Sequence, residues 1–391
     1  MNPSDTTAAT TGTTSHRAAW QRVERLLMIR LDNLGDVLMA TPAIAALRAG
    51  LPDARIALLA SPSGAAAAPY LSDIDEAIVF AAPWVKPDGA ADDASPGHAE
   101  HELIARLAAA RFDAGVIFTT CTQSALPAAL LCRLAGIPLR LAHCRENPYG
   151  LLSDWAVERD AVGDGMRHEV ERQLDLVASV GFAARDRRLR FAVPAGARQA
   201  VRNRLANAGV DTTRPCVVVH PGASAESRRY PAALFGVAAD RIAHATGAAI
   251  VLTGGAAERP LIDELRAAMN EPAISLAGQL DLGELAALIE SAGVLVANNS
   301  GPAHLAAALG TPVVDLYALT NPQHTPWLVP ARVLNHPVPC RNCLKSRCPE
   351  GHHDCLRRVE PQTVAAAAID LLRDPEPLVP MRGIALAEAE R

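Results

Sequence analysis

The sequence predicts an α/β protein of two similar domains, each a parallel sheet with helices on both faces, set around a cleft. Short apolar runs alternate with helix-length amphipathic stretches, the pattern of strands buried on both faces. The alternation pauses in a polar stretch near residues 195–215 and then begins again. The chain has 391 residues, enough for two cores of ordinary size.

In the first half, residues 26–30 are a short apolar strand, followed by Leu31-Asp32-Asn33-Leu34-Gly35-Asp36 and a helical pattern over 37–49. Strand, glycine loop and helix in that order open an α/β unit, with Gly35 expected to allow a tight turn. Further strands are expected at 55–59, 76–80 and 114–119, and helices at 100–110 and 127–135. Residues 83–96 carry Pro, Gly and Asp without periodicity and read as a mobile loop. An amphipathic helix follows at 168–180, then a basic, exposed 185–190. The second half repeats the grammar, with strands at 216–219, 248–252, 274–276, 294–297 and 313–317. Its helices are expected at 231–245, 260–269, 282–291 and from Pro302. The expected organisation is a disordered tail over 1–22, an N-terminal domain over 23–195, a C-terminal domain over 196–372 that includes the cysteine cluster at 340–355, and a second tail over 373–391. Ligands of open parallel sheets lie beyond the carboxyl ends of strands, which points to the loops after Arg30, Val219, Leu252 and Ala297.

Composition narrows the function classes. Half the residues are apolar and the formal net charge is −5, so the basic surplus of a nucleic-acid binder is missing. No uncharged apolar run is long enough to cross a bilayer, and the Thr/Ala/Ser-rich start lacks the layout of a secretory signal. A cytoplasmic location is the expectation. Of the eight cysteines, Cys121, Cys132, Cys144 and Cys216 are scattered in apolar stretches and read as buried thiols. Cys340, Cys343, Cys348 and Cys355 are clustered, with His352 and His353 among them. Four thiolates so spaced suit a structural zinc or iron, with disulfides or free thiols as the other readings.

Four loops carry the candidate chemistry. Asp36 opens a helix beyond the first strand, where it is either a cap or a general base on an incoming hydroxyl. His220-Pro221-Gly222-Ala223-Ser224 exposes backbone N–H groups and a hydroxyl, and Arg228 or Arg229 could neutralise a diphosphate or be a solvated helix start. Asn298-Asn299-Ser300-Gly301-Pro302-Ala303-His304 joins a strand to a helix N-terminus that favours anions. Thr253-Gly254-Gly255 with Glu258 could hold ribose hydroxyls, or Glu258 could serve only its own helix. The absence of G-x-G-x-x-G after the first strand argues against a dinucleotide-type epimerase or dehydrogenase.

Five stretches in this order resemble glycosyltransferase family 9, the ADP-heptose heptosyltransferases of lipopolysaccharide assembly. They are LMIRLDNLGDVLMATP at 27–42, HEVERQLDLVASVG at 168–181, HPGASAESRRYP at 220–231, the 252–258 loop and NNSGPAHLAAALGTP at 298–312. The resemblance runs from residue 26 to about 372. It implies a GT-B fold of two Rossmann-like domains, with a nucleotide-sugar donor bound mainly by the second. It implies Asp36 as general base of an inverting transfer, with Ser224, Arg228, Ser300, Gly301 and His304 at the diphosphate. By the same resemblance Glu258 lies near the ribose, and Leu276 and Gly278 line the adenine. No metal is implied for catalysis. Asn299 stands where the family usually has Asp, an amide in place of a charge, which bears on donor identity or affinity. The cysteine cluster resembles one in a subset of members, including protein heptosyltransferases that bind iron. The expected acceptor is lipopolysaccharide core or a related glycan or lipid-linked acceptor, reached by peripheral contact with the inner membrane. A protein acceptor and a catalytically altered, metal-holding scaffold are the alternatives.

Overall fold

The structure is a computed structural model and describes residues 17–85, 97–163, 165–211 and 213–374. Most of the expected mobile loop, the first sixteen residues and the end of the chain from 375 lie outside the described residues. Two compact units emerge: one runs to Ala161 and includes Glu169–Arg187, the other is Val162–His168 with everything from Arg188.

The first unit holds β1 (Arg25–Arg30), α1 (Leu34–Gly50), β2 (Arg55–Ala60), α2 (Pro62–Ala65), β3 (Glu76–Val79), α3 (His98–Ala110) and β4 (Ala114–Ile117). It continues with α4 (Leu126–Leu134), β5 (Leu139–Cys144), β6 (Asp154–Val157) and α5 (Glu169–Ser179). Its six parallel strands run in the order β3-β2-β1-β4-β5-β6. Along β1, Leu27 and Ile29 join the core under α3 and α4, with Leu103, Leu107, Ala128 and Leu131. The alternation of a strand leaves Leu26 and Met28, equally buried, for the opposite face. Pro42 lies inside α1, where it cannot donate to the carbonyl of Leu38; the Thr41 hydroxyl donates there instead, at 2.6 Å.

The second unit holds α6 (Ala195–Asn207), β7 (Cys216–His220), α7 (Ala232–Thr246), β8 (Ile250–Leu252), α8 (Arg259–Ala267), β9 (Ala273–Ser275) and α9 (Leu282–Ser291). Then come β10 (Ala292–Asn298), α10 (Gly301–Leu309), β11 (Val313–Leu316), β12 (Ala331–Leu334), α11 (Asp354–Arg357) and α12 (Pro361–Arg373). The strand order β12-β11-β10-β7-β8-β9, again all parallel, has the topology of the first sheet. One face of this sheet, Val217, Val219, Val294, Val296, Val314 and Leu316, packs with residues of α7, α8 and α12.

The structure corrects two expectations. The polar stretch at 195–215 is not a bare separator, because it contains α6. That helix buries only Val201 and Leu205 and is pinned by Arg198 to Glu290 and Arg204 to Glu284. Gly35 makes no left-handed turn; it lies buried in the first turn of α1 and is not among the positive-φ glycines described.

Candidate active site

In each sheet the chain reverses its direction of travel at one place, between β1 and β4 and between β7 and β10. Loops diverge there, and the gap beyond the strand ends is where such sheets take ligands.

At the first switch point the loop after β1 carries Asp32 and leads to Asp36 in the opening turn of α1. Both carboxylates face Arg30, the last residue of β1, which is wholly buried. The Arg30 Nη2 donates to Asp36 Oδ1 at 3.1 Å, its Nη1 donates to Glu169 Oε1 at 2.9 Å, and its Nε forms an ion pair with Asp32 Oδ2 at 3.0 Å. The other oxygen of Asp36, Oδ2, accepts the Asn33 N–H at 3.1 Å. Capping and a functional carboxylate therefore coincide in one residue, whose side chain is 15% exposed. Asp32 accepts from Gln123 Nε2 at 2.5 Å and faces a cavity of about 280 Å³ lined also by Trp84, Val85, Thr119, Thr122 and Ser124. Burial raises the Asp32 carboxyl to about 6 against the pull of Arg30, with Asp36 adding to the rise.

Helix α5 braces this switch point from below. Its Glu169 takes Arg30, while Arg172 and Gln173 donate to the Thr119 carbonyl in the loop after β4. Arg172 is in turn paired with buried Glu158. Sequence reasoning singled out this helix for its amphipathic pattern and its family resemblance but missed Arg30, Glu158, Glu169 and Arg172 as a network. The available signal was charge at apolar positions: an Arg closing the run LLMIR and a Glu and Arg on the buried face of an amphipathic helix.

At the second switch point Asn298, fully buried at the end of β10, joins the two diverging loops. Its Oδ1 accepts from Tyr230 N–H at 2.9 Å and its Nδ2 donates to the Pro221 carbonyl at 2.7 Å. Ser300 precedes α10 and donates to the Asn298 carbonyl at 3.1 Å, and Gly301 and Pro302 form the first turn. Ser224 is exposed and Arg228 half-buried in the neighbouring loop, while Arg229 Nε is occupied by the Ala223 carbonyl at 2.8 Å. Of the two arginines, Arg229 is thus tied to its own loop. Glu258 lies over Gly222, where a Cβ would come within 1.9 Å of its Oε1, and accepts the Gly255 N–H at 2.8 Å. His220, whose basicity burial lowers and Glu258 partly restores, donates or accepts with Thr253 at 3.0 Å. Gly278 has φ of +69° and sits against the backbone of Ala256, and Leu276 beside it is buried. These loops form one cluster at the strand ends. Asn299 and His304 are buried as well, Asn299 beside the Tyr317 hydroxyl and the His304 ring 6.4 Å from that of His324.

The family model of glycosyltransferase family 9 (heptosyltransferase) matches residues 101–353. This chain belongs to that family. It is similar to lipopolysaccharide heptosyltransferase 2 of Escherichia coli (strain K12), 28% identical over 353 residues, covering 87% of this chain and 96% of that protein. The solved structure of E. coli ADP-heptose lps heptosyltransferase II superposes with a TM-score of 0.67 at 25% identity, covering 89% and 98% of the two chains. A family 9 glycosyltransferase from Veillonella parvula DSM 2008 gives a TM-score of 0.74 at 21% identity, over 90% and 97%. The chain is accordingly a glycosyltransferase with the paired Rossmann-like sheets of the GT-B fold.

The family 9 chain carries its cysteine loop against the second switch point. Ser227, next to Arg228, donates its hydroxyl to Lys345 O at 2.6 Å and its N–H to Ser346 O at 2.9 Å, and accepts from His353 Nε2 at 2.7 Å. Cys340, Cys343, Cys348 and Cys355 are free thiols, half-buried, with Cys340 Sγ 3.7 Å from His352 Nε2. Among the described residues no three His, Cys, Asp or Glu side chains are placed to hold a metal ion. No chemical step is routed through a metal here. Cys121, Cys132, Cys144 and Cys216 are buried, and burial pushes the Cys132 thiol up to about 12. No helix among the described residues is long and apolar enough to cross a membrane.

Proposed function

We propose that this glycosyltransferase moves heptose from ADP-heptose to lipopolysaccharide core or a related glycan, at the cytoplasmic face of the inner membrane. The names of its similar proteins supply sugar, nucleotide and acceptor. The observation that carries the chemistry is the Asp36 carboxylate, fixed through one oxygen by Arg30 and through the other by the Asn33 N–H. The side chain is 15% exposed, so an incoming hydroxyl can reach it. The acceptor hydroxyl gives its proton to Asp36 as its oxygen bonds the anomeric carbon. The bond from that carbon to the diphosphate oxygen breaks on the opposite face, ADP leaves with the bonding pair, and the configuration inverts.

The leaving diphosphate is assigned to the start of α10, where free backbone N–H groups and the helix dipole favour anions, with Ser300, Gly301, Ser224 and Arg228. Glu258 is assigned to the ribose, and Leu276 and Gly278 to the adenine. Asn299 and His304, buried in the same loop, are assigned to the donor as well. The test is incubation with ADP-heptose and a heptose-deficient lipopolysaccharide core, following ADP release and product anomeric configuration by NMR. ADP release with an inverted linkage is expected; retention, or no release with any core acceptor, overturns the reading.

A structural metal at Cys340, Cys343, Cys348 and Cys355 is part of the same proposal, resting on the donor set of four thiols. Binding would have to draw the loop closer round the ion, coupling metal uptake to loop folding. Elemental analysis of protein from metal-replete medium should find about one zinc or iron per chain; an empty result removes the metal.

A further inference from the structure

The reading of Asp36 as base leaves unexplained why its partner is buried so deeply and paired so heavily. Arg30, Glu169 and Arg172 are each no more than 1% exposed, and Glu158 is 7% exposed. A buried ion network is weak support for stability, since removing charges from water costs about what their attraction returns. Geometry suggests a different purpose. The guanidinium is a rigid fork, and each of its nitrogens meets a different carboxylate, two from the loop after β1 and α1, one from α5.

We propose that Arg30, clamped by Glu169, is the positioning residue that orients the Asp36 carboxylate, and that Glu169 balances the guanidinium so that Asp36 remains able to accept a proton. This rests on the reading of Asp36 as general base.

The charge argument runs in both directions. A cation 3.1 Å from a carboxylate favours its ionised form and so weakens it as a base. Three carboxylates around one guanidinium share its attraction and leave the group with excess negative charge. Asp32, on the same guanidinium, is raised to about 6 chiefly by burial, with Asp36 and Glu169 adding to the rise. Glu169 is the member that faces no solvent: its Oε1 accepts from Arg30 Nη1 and from Gln173 Nε2 at 2.5 Å, with Arg172 Nη1 at 3.8 Å. The charged groups facing Arg30 are Asp32, Asp36 and Glu169, and Arg172 faces Glu169 from the same helix. Glu169 and Arg30 are 139 residues apart in the chain, so α5 is the brace that brings them together.

The test compares Arg30→Met, Arg30→Lys and Glu169→Gln by kcat, by KM for ADP-heptose and by the acidic limb of the kcat–pH profile. Both Arg30→Met and Glu169→Gln should lower kcat about tenfold or more with KM within about twofold, as general-base contributions of this size are ordinary. Their acidic limbs should move oppositely. Losing the guanidinium raises the apparent pKa of the base, whereas losing the Glu169 charge leaves Arg30 to Asp32 and Asp36 and lowers it. Arg30→Lys should recover part of kcat. Loss of a merely structural support would move neither limb. If both limbs stay at the wild-type pH, or move the same way, the proposal is overturned. Should Arg30→Met fail to fold, the near-isosteric Glu169→Gln decides by the direction of its shift. Asp36→Asn, assayed alongside, separates the two levels: full activity there sinks the base itself, while an inactive Asp36→Asn with unmoved limbs elsewhere sinks only the role of Arg30 and Glu169.

Discussion

Asp32 and Asp36 are four positions apart and share one guanidinium, yet they meet different surroundings. Asp36 is held by a backbone N–H and lies at the start of a helix, where negative charge is favoured, whereas Asp32 faces a cavity walled by Trp84 and Val85. Burial is the largest influence on Asp32; Arg30 pulls its carboxyl down, Asp36 pushes it up, and the result is about 6 against an ordinary 3.8. The folded chain therefore binds that proton more tightly than the unfolded chain. The stabilisation it brings is complete below about pH 3.8 and is lost as pH rises through about 6. Asp32→Asn carries no such titration. Urea midpoints of wild type and variant across that window should converge at its acidic end, with the wild type falling behind as pH rises; parallel curves would contradict the assignment. At this scale the sequence was half legible. Asp36 could be marked from its place after a strand and a glycine, and Arg228 from its loop. Arg30 and Glu169 could not be joined, because nothing local tells which buried cation meets which buried anion.

Elements were legible where they are apolar throughout and hidden where buried polar groups find distant partners. The runs Leu26 to Arg30 and Val294 to Asn298 read as strands at sight. Strand β5 (Leu139–Cys144) did not, because Arg140 and His143 interrupt it; Arg140 is satisfied by the carbonyls of Ile137, Pro138, Gly150 and Leu151, and His143 by Arg172 O. Helix α6 was read as polar separation because only two of its side chains are buried. Helices α7 and α8 give the sharpest prediction about packing. A Cβ on Gly236 would fall 2.2 Å from the Leu265 carbonyl oxygen and 2.9 Å from the Ala268 Cβ. Backbone cannot swing aside as a long side chain can, so Gly236→Ala must push the helices apart. A loss of about 1–3 kcal/mol is expected from overpacking of this kind, read as a lower urea midpoint at unchanged slope. A midpoint equal to wild type would show that the helices can separate freely.

The whole molecule repeats one plan twice: a six-stranded parallel sheet with a single reversal of strand order, and polar loops gathered at that reversal. The first reversal holds the carboxylates on Arg30, and the second holds the loops around Asn298 and the start of α10. That repetition was legible, since the strand–loop–helix grammar starts twice. The proposed division of labour came from the family resemblance, with carboxylates at the first site and glycines, hydroxyls and Arg228 at the second. Because Asp36 and the loops proposed to grip the donor lie on different units, a single substitution should separate their effects. The most direct measurement is Asp36→Asn, assayed for transfer from ADP-heptose and for ADP affinity by calorimetry on the same preparation. Transfer should fall by about 10²–10⁴-fold, the usual span for a lost general base, with ADP affinity within about twofold of wild type. Transfer that survives, or affinity that falls along with it, would contradict the assignment of Asp36 as the base.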